Sequence, residues 1–337
     1  MKVFRGFQHP GVSKPCALTI GNFDGVHRGH QAMLALLQNE ARLRGVPACV
    51  MTFEPHPRDW FAARSGKPEL APARIGTLRD KLAELAASGI DQCIVLRFDA
   101  ALASQPPQRF VDEVLVRGLG VKYVLVGDDF RFGARRAGDY AMLDAAGAAL
   151  GFDVARMNSY EVHGLRVSSS AVREALAAGQ MDQAAALLGR PYSISGHVVH
   201  GRKLGRSLGF RTLNLRFSHW KPAASGIFAV QVHGIDPDKP LPGVANMGVR
   251  PSVDPRDANG GRVLLETHCL EWPEHMAGRE AYGKIIRVEL LSKLHDELKY
   301  DHLDALSAGI AKDCADARAW FSSMHGQTLR QTTRDRI

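Results

Sequence analysis

The 337-residue sequence contains no stretch approaching the ~18 uninterrupted apolar residues of a membrane span, and its opening, MKVFRGFQHPGVSKP, lacks the apolar segment of a secretory leader. The expectation is a cytoplasmic protein without a membrane partner. Cysteine is scarce: Cys16, Cys49, Cys93, Cys269 and Cys314 are widely scattered with no CxxC pair, which argues against a disulfide framework or a cysteine zinc site and for buried free thiols. Aromatic residues make up only 7% and form no cluster of the kind that stacks RNA bases, and no long block of Lys and Arg occurs, so nucleic acid is not the expected partner. Internal repeats, low-complexity tracts and the GxxxxGK[ST] spacing of a Walker loop are also missing.

What is present is ordinary for a globular protein, with 45% hydrophobic and 23% charged residues. At roughly 150 residues per domain the length implies two domains. Lys plus Arg exceed Asp plus Glu, 43 against 35, and the net charge of +8 favours anionic ligands without choosing among them.

From residue 16 to 157, short β-rich runs (17–20, 48–53, 92–98, 122–127 and 152–157) alternate with helical patterns. Residues 30–44 carry Met33, Leu34, Leu37 and Ala41 on one face, and residues 77–88 carry Leu78, Leu82 and Leu85, each stretch stopped by a glycine. That alternation predicts a doubly wound parallel α/β domain. Ala-rich helical segments over 169–188 lead to Gly189-Arg190-Pro191. Strand signals then dominate at 192–200, 212–217, 226–232, 243–247, 263–270 and 284–291, predicting a small antiparallel β-barrel followed by a helix over 302–321. The expected division is 1–187, 188–325 and a basic flexible tail over 326–337.

The run Gly21-Asn22-Phe23-Asp24-Gly25-Val26-His27-Arg28-Gly29-His30 lies between the first strand and the first helix, where open α/β sheets bind ligands. Glycines let backbone approach phosphate, and His27 and His30, three apart, can address one anion. If one phosphate attacks another directly, no side-chain nucleophile is needed, and the site only positions reactants and neutralises charge. Val167-Ser168-Ser169-Ser170-Ala171-Val172-Arg173 reads as a helix cap or as a second phosphate clamp. Phe53-Glu54-Pro55-His56-Pro57 reads as a rigid loop, and Gly127-Asp128-Asp129-Phe130-Arg131-Phe132-Gly133 as a turn with core phenylalanines. In the second half, Gly196–Leu215 interleaves glycines with Arg202, Lys203 and Arg206, which suits either a flap over a polyphosphate or a basic hairpin on RNA.

Taken together and in this order, these motifs resemble the HxGH nucleotidyltransferase superfamily and, in their longer form, the bacterial bifunctional riboflavin kinase/FAD synthetase family, over residues 15–320. The resemblance implies a Rossmann-like HxGH domain followed by a riboflavin kinase barrel. It implies ATP binding by Gly21, Asn22, Phe23, Asp24, Ser168, Ser169, Ser170 and Arg173, catalysis by His27 and His30, and a flavin pocket touching His56, Asp129 and Phe132. For the second half it implies a flap with Gly201 and Lys203 on ATP, Mg²⁺ on Thr212 and Asn214, and Glu266 as catalytic base. Gly243–Ser252 is similar to the family's xNxGxRPT segment, and Leu294–Tyr300 to its LRxExKF. The chain departs from the family at Ser170 and Ser252 for threonine, Asp129 for a frequent asparagine, Arg211 for proline, His295 for arginine and Tyr300 for phenylalanine. The implied activity is phosphorylation of riboflavin to FMN and adenylylation of FMN to FAD. Two other readings stand open at this point, an HxGH transferase with another acceptor and a nucleic-acid-binding protein, and the oligomeric state is undetermined.

Overall fold

The computed structural model describes residues 1–162, 164–201, 209–217, 221–250, 262–276 and 281–334. It divides into two compact units, one of Met1–Pro72 with Leu78–Ala171, the other of Ala73–Thr77 with the chain from Val172 onward.

The first unit runs β1 (Lys2–Arg5), β2 (Cys16–Ile20), α1 (Arg28–Leu43), β3 (Ala48–Glu54), α2 (Pro57–Arg64), α3 (Leu78–Ala87), β4 (Gln92–Arg97), α4 (Ala100–Ser104), α5 (Pro107–Phe110), β5 (Val121–Gly127), α6 (Tyr140–Leu150) and β6 (Asp153–Met157). Between α5 and β5 the chain continues as a π-helix, Val111–Leu119. A hairpin of β7 (Glu161–Val162) and β8 (Leu165–Arg166) precedes α7 (Ser169–Ala177). The main sheet is parallel throughout, in the order β1-β4-β3-β2-β5-β6. All five residues of β2 are buried, as expected of a strand covered on both faces. The chain steps from β2 outward through β3 to β4 and then returns to place β5 on the other side of β2. The carboxyl ends of β2 and β5 therefore flank the point where strand order reverses, the usual ligand crevice of such sheets. Strand β1 was not expected: it has four residues with only Phe4 buried, too short for a periodicity signal, and it adds to the β4 edge.

The second unit contains α8 (Met181–Leu188), β9 (Tyr192–His197), β10 (Leu213–Phe217), β11 (Gly226–His233), β12 (Leu241–Arg250), β13 (Arg262–Cys269), β14 (Ile285–His295) and α9 (Leu303–Arg334). Its sheet is antiparallel, in the order β10-β13-β12-β11-β14-β9. Beyond β9, Val199 pairs with Asn214 of β10, which nearly closes the six strands into a barrel. Helix α9 packs Cys314 and Ala317 against Ile227, Ala229 and Val244. It continues to Arg334, so most of the segment expected as a flexible tail is helical backbone; residues 322–334 contain no proline to stop it. Helix α8 buries Met181, Ala184, Leu187 and Leu188 and contacts β9 and β14, so by packing it joins the barrel rather than the preceding domain.

Candidate active sites

In the first unit, the loop leaving β2 is held in an unusual backbone. Phe23, Gly25 and Val26 have φ of 49°, 84° and 39°, the left-handed region that a β-branched valine rarely enters. Burial holds them there, since the Phe23 and Val26 side chains are both in the core. The chain then enters α1 with His27 as the cap, its Nδ1 accepting from the His30 amide at 3.3 Å. The spacing of three stacks the His27 and His30 rings, with centroids 3.7 Å apart and planes 16° from parallel, and Phe23 lies 4.9 Å from His30. Gly29 permits this fold-back, because a Cβ there would sit 3.3 Å from the His27 ring. Gly21 donates its backbone N–H to Met51 O, and Asp24 is buried.

Burial, the neighbouring His27 ring and the Lys81 ammonium, in that order, push the His30 pKa well below the ordinary imidazole value. His30 is therefore neutral near pH 7, a ring able to hydrogen-bond but carrying no charge; its Nδ1 is buried without a hydrogen-bond partner among the described residues. The buried positive charge here is Lys81, 3% exposed, whose Nζ donates to Thr52 Oγ1 at 3.2 Å, while Thr52 Oγ1 donates to Asn22 O at 3.2 Å. Sequence reasoning missed this lysine. The available signal was its place in the apolar stripe of α3, three residues after Leu78 and four before Leu85.

The serine motif joins the same loop: Ser169 Oγ donates to Asp24 O at 3.0 Å, and Ser168 Oγ accepts from Ala171 N at 3.2 Å as a helix cap. Ser170 is exposed, and Arg173 donates its Nε to the Ala73 carbonyl at 2.7 Å. His56 is 3% exposed and caps α2, its Nδ1 accepting from Arg58 N at 3.1 Å. Asp129 is exposed beside the end of β5, whereas Phe132 is buried between Phe110 and Phe130. Two further features went unread in the sequence. Asp128 accepts from Ser159 and Arg166, an arrangement that ties the end of β5 to the segment before the serines and, led by the Ser159 hydrogen bond, lowers the Asp128 pKa. Phe61 is 53% exposed and rests edge-on against Trp60 and Phe98, leaving an open aromatic shelf past the end of β3 that can stack on a flat ring.

In the second unit, Asn214 and Glu266 are directly opposite across β10 and β13, and Asn246 is opposite Glu266 on the other side, across β12. Asn214 Nδ2 reaches Thr212 O and Oγ1 at 3.3 and 3.4 Å, which leaves Asn214 Oδ1 buried with no partner among the described residues. Gly201 lies so close that a Cβ there would meet the Asn214 amide at 2.7 to 2.9 Å. At the Arg211 departure, His268 Nδ1 donates to Arg211 O at 2.8 Å, and the His268 ring is edge-on to Phe210. Arg202, Lys203, Arg206, Pro251 and Ser252 lie outside the described residues.

Comparison with known proteins covers both units. Residues 9–171 match the FAD synthetase family model and residues 188–321 the riboflavin kinase model. The chain is 45% identical to the bifunctional riboflavin kinase/FMN adenylyltransferase of Escherichia coli K12, over 95% of this chain and 98% of that one. It is 45% identical to the protein of the same name from Pseudomonas fluorescens, over 90% and 92%, and 40% identical to that of Haemophilus influenzae, over 96% and 100%. A solved Streptococcus pneumoniae structure described as a macrolide-efflux protein shares the fold, with a TM-score of 0.73, 24% identity and coverage of 94% and 98%. With both family models matched in order and near-complete relatives at this identity, the chain belongs to the bifunctional riboflavin kinase/FMN adenylyltransferase family.

Proposed function

We propose that the chain makes FAD from riboflavin in two ATP-consuming steps, one in each unit, in the cytoplasm where ATP is supplied. The observation that carries this reading is that the stacked His27–His30 pair and the Asn214–Glu266 pair belong to different compact units, with His30 Nδ1 in one and Asn214 Oδ1 in the other buried without a hydrogen-bond partner among the described residues.

In the kinase half, Glu266 accepts the proton of the riboflavin 5′-hydroxyl as that oxygen bonds to the γ-phosphorus of ATP, and the bridging oxygen leaves with ADP. The unsatisfied Asn214 Oδ1 and the Thr212 hydroxyl form a neutral, hard oxygen pair that fits Mg²⁺, which keeps several waters and phosphate oxygens of its own. Bound there, Mg²⁺ supplies charge neutralisation for the phosphates. Gly201 keeps the passing backbone close to Asn214, and Lys203 is assigned to the ATP phosphates.

In the adenylyltransferase half, an oxygen of the FMN phosphate bonds to the α-phosphorus of a second ATP and pyrophosphate departs. Neutral His30 and His27, the cap of α1, donate hydrogen bonds to the phosphate oxygens, Lys81 supplies the buried positive charge, and the N-terminal end of the α1 dipole favours the anion. Gly21, Asn22, Phe23 and Asp24 shape the floor, Ser168–Ser170 and Arg173 serve the ATP polyphosphate, and His56, Asp129 and Phe132 frame the flavin side.

Incubation with riboflavin and MgATP, followed by chromatography, should yield FMN and then FAD. His30→Ala should abolish FAD formation and spare FMN formation, and Glu266→Ala should stop FMN formation while supplied FMN is still adenylylated. Loss of both products from either change would defeat the two-site reading.

A further inference from the structure

We propose that Asn246 selects the phosphoryl acceptor, its side-chain Oδ1 accepting a hydrogen bond from a hydroxyl of the polyol chain of riboflavin; the proposal rests on the kinase reading above. Residues directly opposite in an antiparallel pair project to the same face with Cβ atoms about 5 Å apart. The pairings Asn214↔Glu266 and Asn246↔Glu266 therefore set three polar side chains in one row across β10, β13 and β12, with Glu266 in the middle.

The ends of the row are chemically different. Thr212 and the close backbone of Gly201 gather at the Asn214 end, which makes it the nucleotide end. A phosphoryl group delivered from there to an oxygen beside Glu266 requires the acceptor molecule to approach from the Asn246 end. On β12 the alternating residues Val244 and Gly248 share the face of Asn246; Val244 is packed under α9, and the Glu297 carboxylate lies against Gly248. The amide thus stands between an apolar wall and a carboxylate, a setting for an uncharged polar ligand rather than for phosphate.

Its Oδ1 is buried and has no hydrogen-bond partner among the described residues, a condition native structures rarely leave uncompensated. The missing partner is a hydrogen-bond donor or a cation, which excludes phosphate oxygens, and the cation of this site belongs with Asn214 and Thr212 at the other end of the row. Of the donors on riboflavin, the ring N–H is at the far end of the molecule from the reacting oxygen, whereas the polyol hydroxyls are on the carbons next to it. A hydroxyl is the donor that one strand spacing from Glu266 can reach.

The test uses the full chain. Asn246→Ala should raise KM for riboflavin about ten-fold, the loss of one buried hydrogen bond, with the kinase KM for ATP within about two-fold and an unchanged melting temperature as the controls that the barrel is folded. Independently of any variant, riboflavin analogues lacking the 2′-, 3′- or 4′-hydroxyl should be compared on the unmodified chain. One of them should lose about as much as Asn246→Ala does with riboflavin, and the variant should then not distinguish that analogue from riboflavin. An unchanged riboflavin KM in Asn246→Ala, equal use of all three analogues, or additive losses throughout would each overturn the assignment while the kinase reading stands. No phosphorylation of riboflavin by the unmodified chain would instead overturn that reading and this proposal with it.

Discussion

At the scale of single residues, the adenylyltransferase half separates the work of charge from the work of hydrogen bonding. His30 is kept neutral by its surroundings, whereas Lys81 is a buried ammonium beside it, so in the proposed reaction the positive charge is assigned to Lys81. Lys81→Met, close in volume but uncharged, should lower the rate of FAD formation from supplied FMN by about a hundred-fold, with riboflavin phosphorylation unaffected; a change confined to melting temperature would make Lys81 a packing residue. The direction of the His30 shift also sets a pH response. A histidine whose folded pKa is depressed binds its proton more readily in the unfolded chain, so stability falls as pH drops below about 6.5. His30→Asn should flatten that acid-side fall in melting temperature. The sequence exposed the imidazole pair because ten residues of pattern sit at a strand-to-helix junction. It hid Lys81, since a lysine ordinarily reads as solvated, and it hid the function of Asn246, whose neighbour across the sheet is known only from strand register.

Among the elements, two histidines hold parts of the kinase half in place. His268 grips the Arg211 carbonyl just before Thr212. His268→Ala should raise KM for ATP in the kinase reaction without altering adenylylation, and Arg211→Pro in that background should restore part of the loss. His295, at the end of β14, donates from Nδ1 to Asp296 O at 2.7 Å and from Nε2 to Asp313 Oδ1 of α9 at 2.8 Å, which requires the protonated ring. Burial acts to lower its pKa, but the Asp296 carbonyl and the Asp313 carboxylate outweigh it and the net shift is upward. A raised histidine pKa stabilises fully below about pH 6.5 and loses that contribution as pH climbs through the folded value. Melting curves across neutral pH should show this decline, and His295→Gln should remove it, opposite in sign to the His30 effect. The strands were readable as elements because their apolar runs are long enough to register, and β1 was not. The polar, basic composition of 326–337 predicts fraying, whereas the helix runs on through Gly326 to Arg334 with no proline to stop it.

For the whole molecule, the reading of an α/β domain followed by a barrel came directly from the change in periodicity near Gly189. What periodicity could not reveal is which body a linking helix belongs to. Helix α8 buries four apolar residues and meets β9 and β14. A barrel fragment beginning at Tyr192 should therefore melt lower and aggregate more readily than one beginning at Val172, as judged by circular dichroism and light scattering. The cross-strand row of Asn214, Glu266 and Asn246 has a further bearing on how such a chain can change over evolutionary time. A single-residue insertion within β13 would turn Glu266 to the opposite side of the sheet and undo the kinase at a stroke. Gains and losses of length in descendants of this protein should thus be tolerated at the turns between strands and be missing from the middle of β13, as if its residues were teeth on a gear.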